Sequence, residues 1–315
     1  MLTWGILGQL LWTGFAAATY YCLFAVAFSL VLKVNKIWNF AQAGVMVFAY
    51  YSLLVAFRHW GLPLVPALVF GLLITLAVSL ALERYAFMVF RDRNSSILTL
   101  FIFTIVFSEF SVYLTELAFG TEPQTLYPSL LWPVDLYGGI AISHWDLVAL
   151  TVTAVLMLIL YLFINRTRYG QYLIAVADNE NLAEIYGISR KRAYGVSISI
   201  AAVLITAGMY LFGTKAALFP STPLQHLLIF AVIATILAGI GNVFRAGIAA
   251  IALSLIQAFS ILVIASKWQA LLAYILIFVV IIFFPRGFAL PRKLSGLVRP
   301  SGRSAAVAVA DATRD

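Results

Sequence analysis

Apolar runs of membrane-crossing length recur along almost the whole chain. Broken at charges, Pro and Gly, they fall at 10–32, 38–57, 62–83, 97–118, 145–164, 193–213, 227–241, 246–265 and 269–284. A helix needs about 20 apolar residues to cross the hydrocarbon layer, and tilt or bilayer thinning accommodates the shorter seventh and ninth. The runs are continuous rather than alternating with a period of two, which excludes a membrane β-barrel. Helices are then the only way to satisfy the backbone in lipid. Composition agrees: 63% of residues are hydrophobic and 10% charged, whereas a soluble domain carries roughly 25% charged residues. The expected fold is an all-α integral membrane protein, a polytopic bundle of about nine (eight to ten) transmembrane helices, some of them broken or re-entrant.

Charge sets the orientation. With nine spans, 17 of the 20 Lys and Arg fall on one face, and only Arg58, Lys215 and Lys267 on the other. Basic residues collect on the cytoplasmic side. This places the N-terminus outside and the C-terminus inside. The net charge of +8 is thereby a topology signal and implies no nucleic-acid partner. The first Lys is Lys33 and the first apolar run is long, so the N-terminal segment reads as a retained helix rather than a cleaved signal. Cys22 is the single cysteine, so the chain has no internal disulfide. Residues 1–295 read as one transmembrane domain with an inner loop at about 165–192. Residues 296–315 read as a disordered cytoplasmic tail. The longest outer loop, 119–144, is rich in Pro and Gly and can cap the outer mouth.

Four features carry candidate chemistry. Asn39, Gln42 and Gly44 open the second span, with both amides on one helical face. Amides at membrane depth either line a polar pathway or bond across a helix interface. Gly239, Gly241 and Asn242 interrupt the apolar run before Gly247, which suits a helix break or a close helix approach. The inner loop contains Asn181-Leu-Ala-Glu-Ile-Tyr186, a short amphipathic helix stopped by Gly187, suited to docking a moving partner or simply carrying positive-inside charge. Glu109 lies inside the fourth span, where an ionisable residue is a functional candidate by default. It is the residue an ion-coupled secondary transporter would use, the alternative to the reading below. His59, His144 and His226 are scattered without metal-ligand spacing. The chain has no G-x-x-x-x-G-K-S/T loop and no Ser/His/Asp or H-E-x-x-H arrangement, so no catalytic residues are assigned.

Over about residues 15–290 the chain resembles the bacterial ABC-importer permeases of the LivH type, which serve branched-chain amino acids, amides and urea. Asn39-Phe-Ala-Gln-Ala-Gly44 matches the N-F-A-x-x-G motif, and Glu83-Arg84 with Leu98-Thr-Leu-Phe-Ile-Phe-Thr104 matches the next block. Arg166-Thr-Arg-Tyr-Gly170, Ala175-Val-Ala-Asp-Asn179 and Ala183-Glu-Ile-Tyr-Gly-Ile188 resemble the loop that contacts the ATPase. Leu237-Ala-Gly-Ile-Gly-Asn242 and Pro285-Arg-Gly-Phe288 resemble the two closing blocks, with Ala238 and Phe288 departing from the usual Gly and Leu. The resemblance implies a non-catalytic permease subunit of the bacterial inner membrane, working by alternating access. Its partners would be a second, LivM-like permease, two ABC ATPase subunits that bind ATP and Mg, a periplasmic substrate-binding protein, and membrane lipid. The chain itself would hold no cofactor and no metal. Asn39, Gln42, Gly44, Glu109, Gly239, Gly241 and Asn242 would line the substrate pathway. Gly170, Ala177, Asp178, Asn179, Ala183, Glu184 and Gly187 would couple to the ATPase.

Overall fold

A computed structural model describes residues 4–126, 134–137, 139–218, 220 and 224–262, with single positions at 275, 278, 279 and 282. The expected ninth span, 269–284, lies outside the described residues apart from those positions, as does the tail from 296. The helices in chain order are α1 (Trp4–Asn35), α2 (Ala41–Leu54), α3 (Leu64–Ala81), α4 (Met88–Asp92), α5 (Ile97–Phe119), α6 (His144–Arg166), α7 (Arg168–Asp178), α8 (Glu180–Ile185), α9 (Arg190–Gly213), α10 (Gln225–Ala238) and α11 (Val243–Ser260). A π-helical turn extends α2 through Val55–His59, and another joins α3 to α4 through Leu82–Phe87. Seven helical stretches are long and apolar enough to cross a membrane, and α10, with 14 residues, is a shorter apolar helix. The first eight expected spans therefore each have a helix.

Packing is inverted relative to a soluble protein. The best 18-residue window of α1 is 83% buried, while those of α3 and α6 are 22% buried. α1 is apolar on all sides because it sits at the centre, against α6, α9, α10 and α11. α3 turns its large residues outward: Leu64, Val65, Val69 and Leu73 are exposed. Its buried face is small or hydroxylated, with Ala67, Gly71, Thr75 and Ser79. Lipid is as apolar as Leu, so helices associate through close approach of small residues and not through burial of large ones. Thr75 returns its hydroxyl proton to the Gly71 carbonyl at 2.7 Å, so its polar group costs nothing at the interface. α5 follows the same rule, burying Thr104, Ser108, Ser111 and Thr115.

One departure from an all-α chain lies between α5 and α6. Val134–Tyr137 (β1) and Ile140–Ser143 (β2) form an antiparallel hairpin, with Tyr137 opposite Ile140. Gly139 takes φ +84°, the left-handed backbone that a two-residue hairpin turn demands. Gln9 of α1 tethers β2. Its amide oxygen accepts from Ala141 N–H at 2.7 Å and its nitrogen donates to the Ala141 carbonyl at 3.3 Å.

The same end of the bundle holds the start of α10. Gln124 and Leu218 exchange two backbone hydrogen bonds, at 2.8 and 2.9 Å, and the Tyr50 hydroxyl of α2 donates to the Gln124 carbonyl at 2.7 Å. Leu126, Leu218 and Leu224 are buried. The described parts of the two connections, at Gln124–Leu126, Leu218 and Leu224, thus pack into the bundle beside the start of α10.

Candidate functional site

The link from α1 to α2 turns on Lys36, which takes φ +56°. The chain then runs without helix to Phe40 before α2 begins. Asn39 and Gln42 are buried at 6% and 2% exposure. They share a small cavity of about 10 Å3 with Ser79 of α3 and Ile198, Ala201 and Ala202 of α9, room for about one water. The Asn39 Oδ1 and both polar atoms of the Gln42 amide have no protein partner. The two amides are brought together as their spacing implies, in a small cavity between α2, α3 and α9. Gly44 faces elsewhere. A Cβ there would lie 2.6 Å from Ser111 Oγ, so Gly44 lets α2 cross α5 closely.

Gly239 and Gly241 take φ +84° and +100° in the four-residue connection between α10 and α11. That connection does not meet the Asn39–Gln42 cavity. Gly241 and Asn242 instead border clefts shared with Lys33, Lys36, Asn165 and Asp178. The break is therefore a turn at the basic end of the bundle.

Glu109 is half-buried midway along α5 and accepts a hydrogen bond from Nε2 of Gln225, the first residue of α10. The contact exists because α10 starts level with the middle of α5. Neighbouring Ser108 is buried, its hydroxyl without a protein partner.

The expected inner helix is present as a pair. Thr167 caps α7, accepting from Gly170 N–H at 3.1 Å. Gly170 sits against the end of α6, where a Cβ would fall on the Phe163 and Ile164 carbonyl oxygens. Asn179 ends α7 and caps α8, accepting from Leu182 N–H at 3.0 Å. Gly187, at φ +80°, closes α8 with the paired bonds Gly187 N–H to Glu184 and Ile188 N–H to Ala183, both 2.9 Å. Ala183 and Gly170 are buried, Ala177 is half-buried, and Asp178, Asn179, Glu184 and Gly187 are exposed. Beside them the apolar side chains of Leu182, Ile185 and Tyr186 stand in the open at 50%, 81% and 78% exposure.

Beneath this pair lies a network that motif reading does not isolate. Glu83, 3% exposed in the π-helical turn after α3, pairs with Arg91 of α4. It also accepts from Asn35 Nδ2 of α1 at 3.3 Å, and Asn35 Oδ1 accepts from Ser197 of α9 at 2.7 Å. The Arg91 guanidinium lies 4.1 Å over the Tyr194 ring, and the Tyr194 hydroxyl donates to Glu180 of α8. The central helix is thus linked through charged and polar groups to the exposed pair. The π-helical turn matters here because its extra residue brings both Glu83 and Phe87 inward. At the opposite end, buried Asp146 of α6 pairs with Lys215 and accepts from the Trp12 indole at 3.0 Å. Among the described residues no cluster of His, Cys, Asp and Glu could hold a metal ion.

The sequence matches the family model for the permease component of the branched-chain amino acid transport system over residues 10–284. It is 25% identical over 289 residues to the high-affinity branched-chain amino acid transport system permease protein BraD of Pseudomonas aeruginosa, covering 89% of this chain and 94% of that protein. It is 27% identical over 293 residues to the corresponding permease protein LivH of Escherichia coli K12, with the same coverage. In fold it resembles PsaBC from Streptococcus pneumoniae, solved in complex with Fab, at 12% identity and TM-score 0.51 over 90% of this chain and 94% of that one. With most of its length matched by one family model, the chain belongs to the branched-chain amino acid transport permeases.

Proposed function

We propose that this chain is the membrane half-pathway of an ATP-driven importer for branched-chain or related amino acids, amides or urea. It does no covalent chemistry. It lies in a bacterial inner membrane with the α7–α8 end in the cytoplasm, as the concentration of Lys and Arg there favours. Two ATPase subunits binding ATP and Mg, a second LivM-like permease and a periplasmic binding protein complete the machine. Alternating access moves the substrate past Asn39, Gln42 and Glu109, with the close α2–α5 crossing at Gly44 and the turn at Gly239–Asn242 as the points that yield.

The observation that carries this reading is the α7–α8 pair. It leaves Leu182, Ile185 and Tyr186 exposed while its base is joined to α1 and α9 through Glu180, Tyr194, Arg91 and Glu83. An exposed apolar knob outside the span, fixed to the helix at the centre of the bundle, suits a partner that pushes. The test is co-expression with the ATPases and second permease, followed by uptake in proteoliposomes. Ile185→Asp with Tyr186→Asp leaves the fold intact, because both side chains are largely in solvent, and lowers ATPase co-purification at least tenfold. Uptake by this chain alone, driven by an imposed pH gradient and lost in Glu109→Gln, would overturn the reading in favour of a secondary carrier.

A further inference from the structure

Among the described residues, a few Lys and Arg are paired with carboxylates and most are not. Arg91, Arg190 and Lys215 each have a carboxylate partner, in Glu83, Glu184 and Asp146. Lys33, Lys36 and Arg245 are among the described residues with none, and these three border one connected pair of clefts. The first cleft, of about 330 Å3, is bordered by Lys33 and Arg245. The second, of about 500 Å3, by Lys33 and Lys36. The two meet at Lys33, Gly241 and Asn242. Asp178 on the rim is the one acidic residue, so cations outnumber it by two.

The cleft has both charged and apolar walls. Lys33 lies in the last turn of α1 and Arg245 in the first turn of α11, which sets the charge at the level where the helices end. Leu30, one turn before Lys33 in α1, gives an apolar wall together with Ile164 of α6 and Phe244 beside Arg245. Tyr161 and Asn165 also border the cleft, and the Tyr161 ring stands edge-on to Phe244 at 5.5 Å. A soluble anion would use only the charged part of this space. A group with an anionic head and an apolar tail uses all of it.

We infer that this cleft is a binding site for an anionic phospholipid. Its phosphodiester would lie among Lys33, Lys36 and Arg245, and the start of an acyl chain against Leu30, Ile164 and Phe244. Basic pockets between membrane helices take such head groups, because each cation attracts the lipid at a depth where water screens poorly. The site does not depend on what the chain transports. It ties the ends of α1 and α6 to the turn between α10 and α11, so an occupied cleft holds that turn in place.

The test uses the full chain purified in a mild zwitterionic detergent, with phosphatidylglycerol or phosphatidylcholine added and bound lipid counted by native mass spectrometry. Phosphatidylglycerol is retained preferentially, and affinity falls roughly fivefold for each cation neutralised in Lys33→Gln, Lys36→Gln and Arg245→Gln. Arg166→Gln with Arg168→Gln removes charge at the same end, outside the cleft, and leaves the preference unchanged. Elution in the monodisperse position of the parent chain confirms that the variants are folded. Equal retention of the two lipids overturns the inference, as does an unchanged preference in the triple variant. Displacement of phosphatidylglycerol by glycerol phosphate at similar concentration would show a site for a soluble anion and would also overturn it.

Discussion

Removing the charge of Arg91 tests how the basic end of the bundle is held together. The Glu83 side chain is 4% exposed and that of Arg91 21%. Arg91→Met keeps the packing of the stem and deletes the guanidinium. Glu83 is then left with the Asn35 amide at 3.3 Å, too little for a carboxylate out of water. Stranding one member of a buried ion pair costs about 3–5 kcal/mol. Losing the cation over the Tyr194 ring adds roughly 0.5–1 kcal/mol. Partial exposure of the guanidinium puts the total near the lower end, about 3 kcal/mol, or roughly 150-fold in the folded-to-unfolded ratio. Glu83→Gln costs less, about 1 kcal/mol, because Gln still accepts from Asn35 and a freed Arg91 can extend toward head groups. The double variant Glu83→Gln with Arg91→Met recovers most of the loss, since no charge is left stranded. Equilibrium unfolding by sodium dodecyl sulfate in mixed micelles, followed by tryptophan fluorescence, measures all three. The reasoning is wrong if Arg91→Met lies within about 0.5 kcal/mol of the parent, a typical surface-substitution effect. It is equally wrong if Glu83→Gln costs as much as Arg91→Met, or if the double variant is the least stable.

Gly170→Ala places a methyl group on the backbone oxygens of Phe163 and Ile164, which cannot move aside as a side chain can. A loss of about 1–3 kcal/mol follows in the same unfolding assay, with faster proteolysis between α6 and α7. Lys215→Met leaves the buried Asp146 carboxylate with only the Trp12 indole as donor and lowers stability by about 3 kcal/mol, whereas Asp146→Asn with Lys215→Met restores much of it.

Helix positions were legible because hydropathy is local: each span is a property of about twenty consecutive residues. The Lys and Arg pattern was equally local, and the α8 helix followed from Leu182, Ile185 and the Gly187 stop. The hairpin was also written in Val134-Asp-Leu-Tyr and Ile140-Ala-Ile-Ser flanking two glycines, and only the surrounding prolines made the segment read as plain loop. What was not legible is pairing at a distance. Glu109 shows in the sequence as an acid in a span, but its partner Gln225 depends on where α10 starts within the bundle. The Asn39 and Gln42 amides read as neighbours, and nothing local says that α3 and α9 line the same small cavity.

The hidden network at Glu83 has a different cause, and the cause implies a remedy. In water, apolar means buried, so a core is read from its large hydrophobic residues. In lipid that rule fails, because Leu and Val are at home on the outside. The inward face is then marked by small and hydroxylated residues. In α3 these are Ala67, Gly71, Thr75 and Ser79, spaced by four. The next position in that series is Glu83 itself. A carboxylate on the stripe that faces protein needs a cation from the same end of the bundle. Arg84, Arg91 and Arg93 are the near choices in sequence, and the wider turn at Leu82–Phe87 is what selects Arg91. Reading membrane spans for their small residues rather than their large ones therefore finds the buried charge first. The fold is needed only to decide which neighbour answers it.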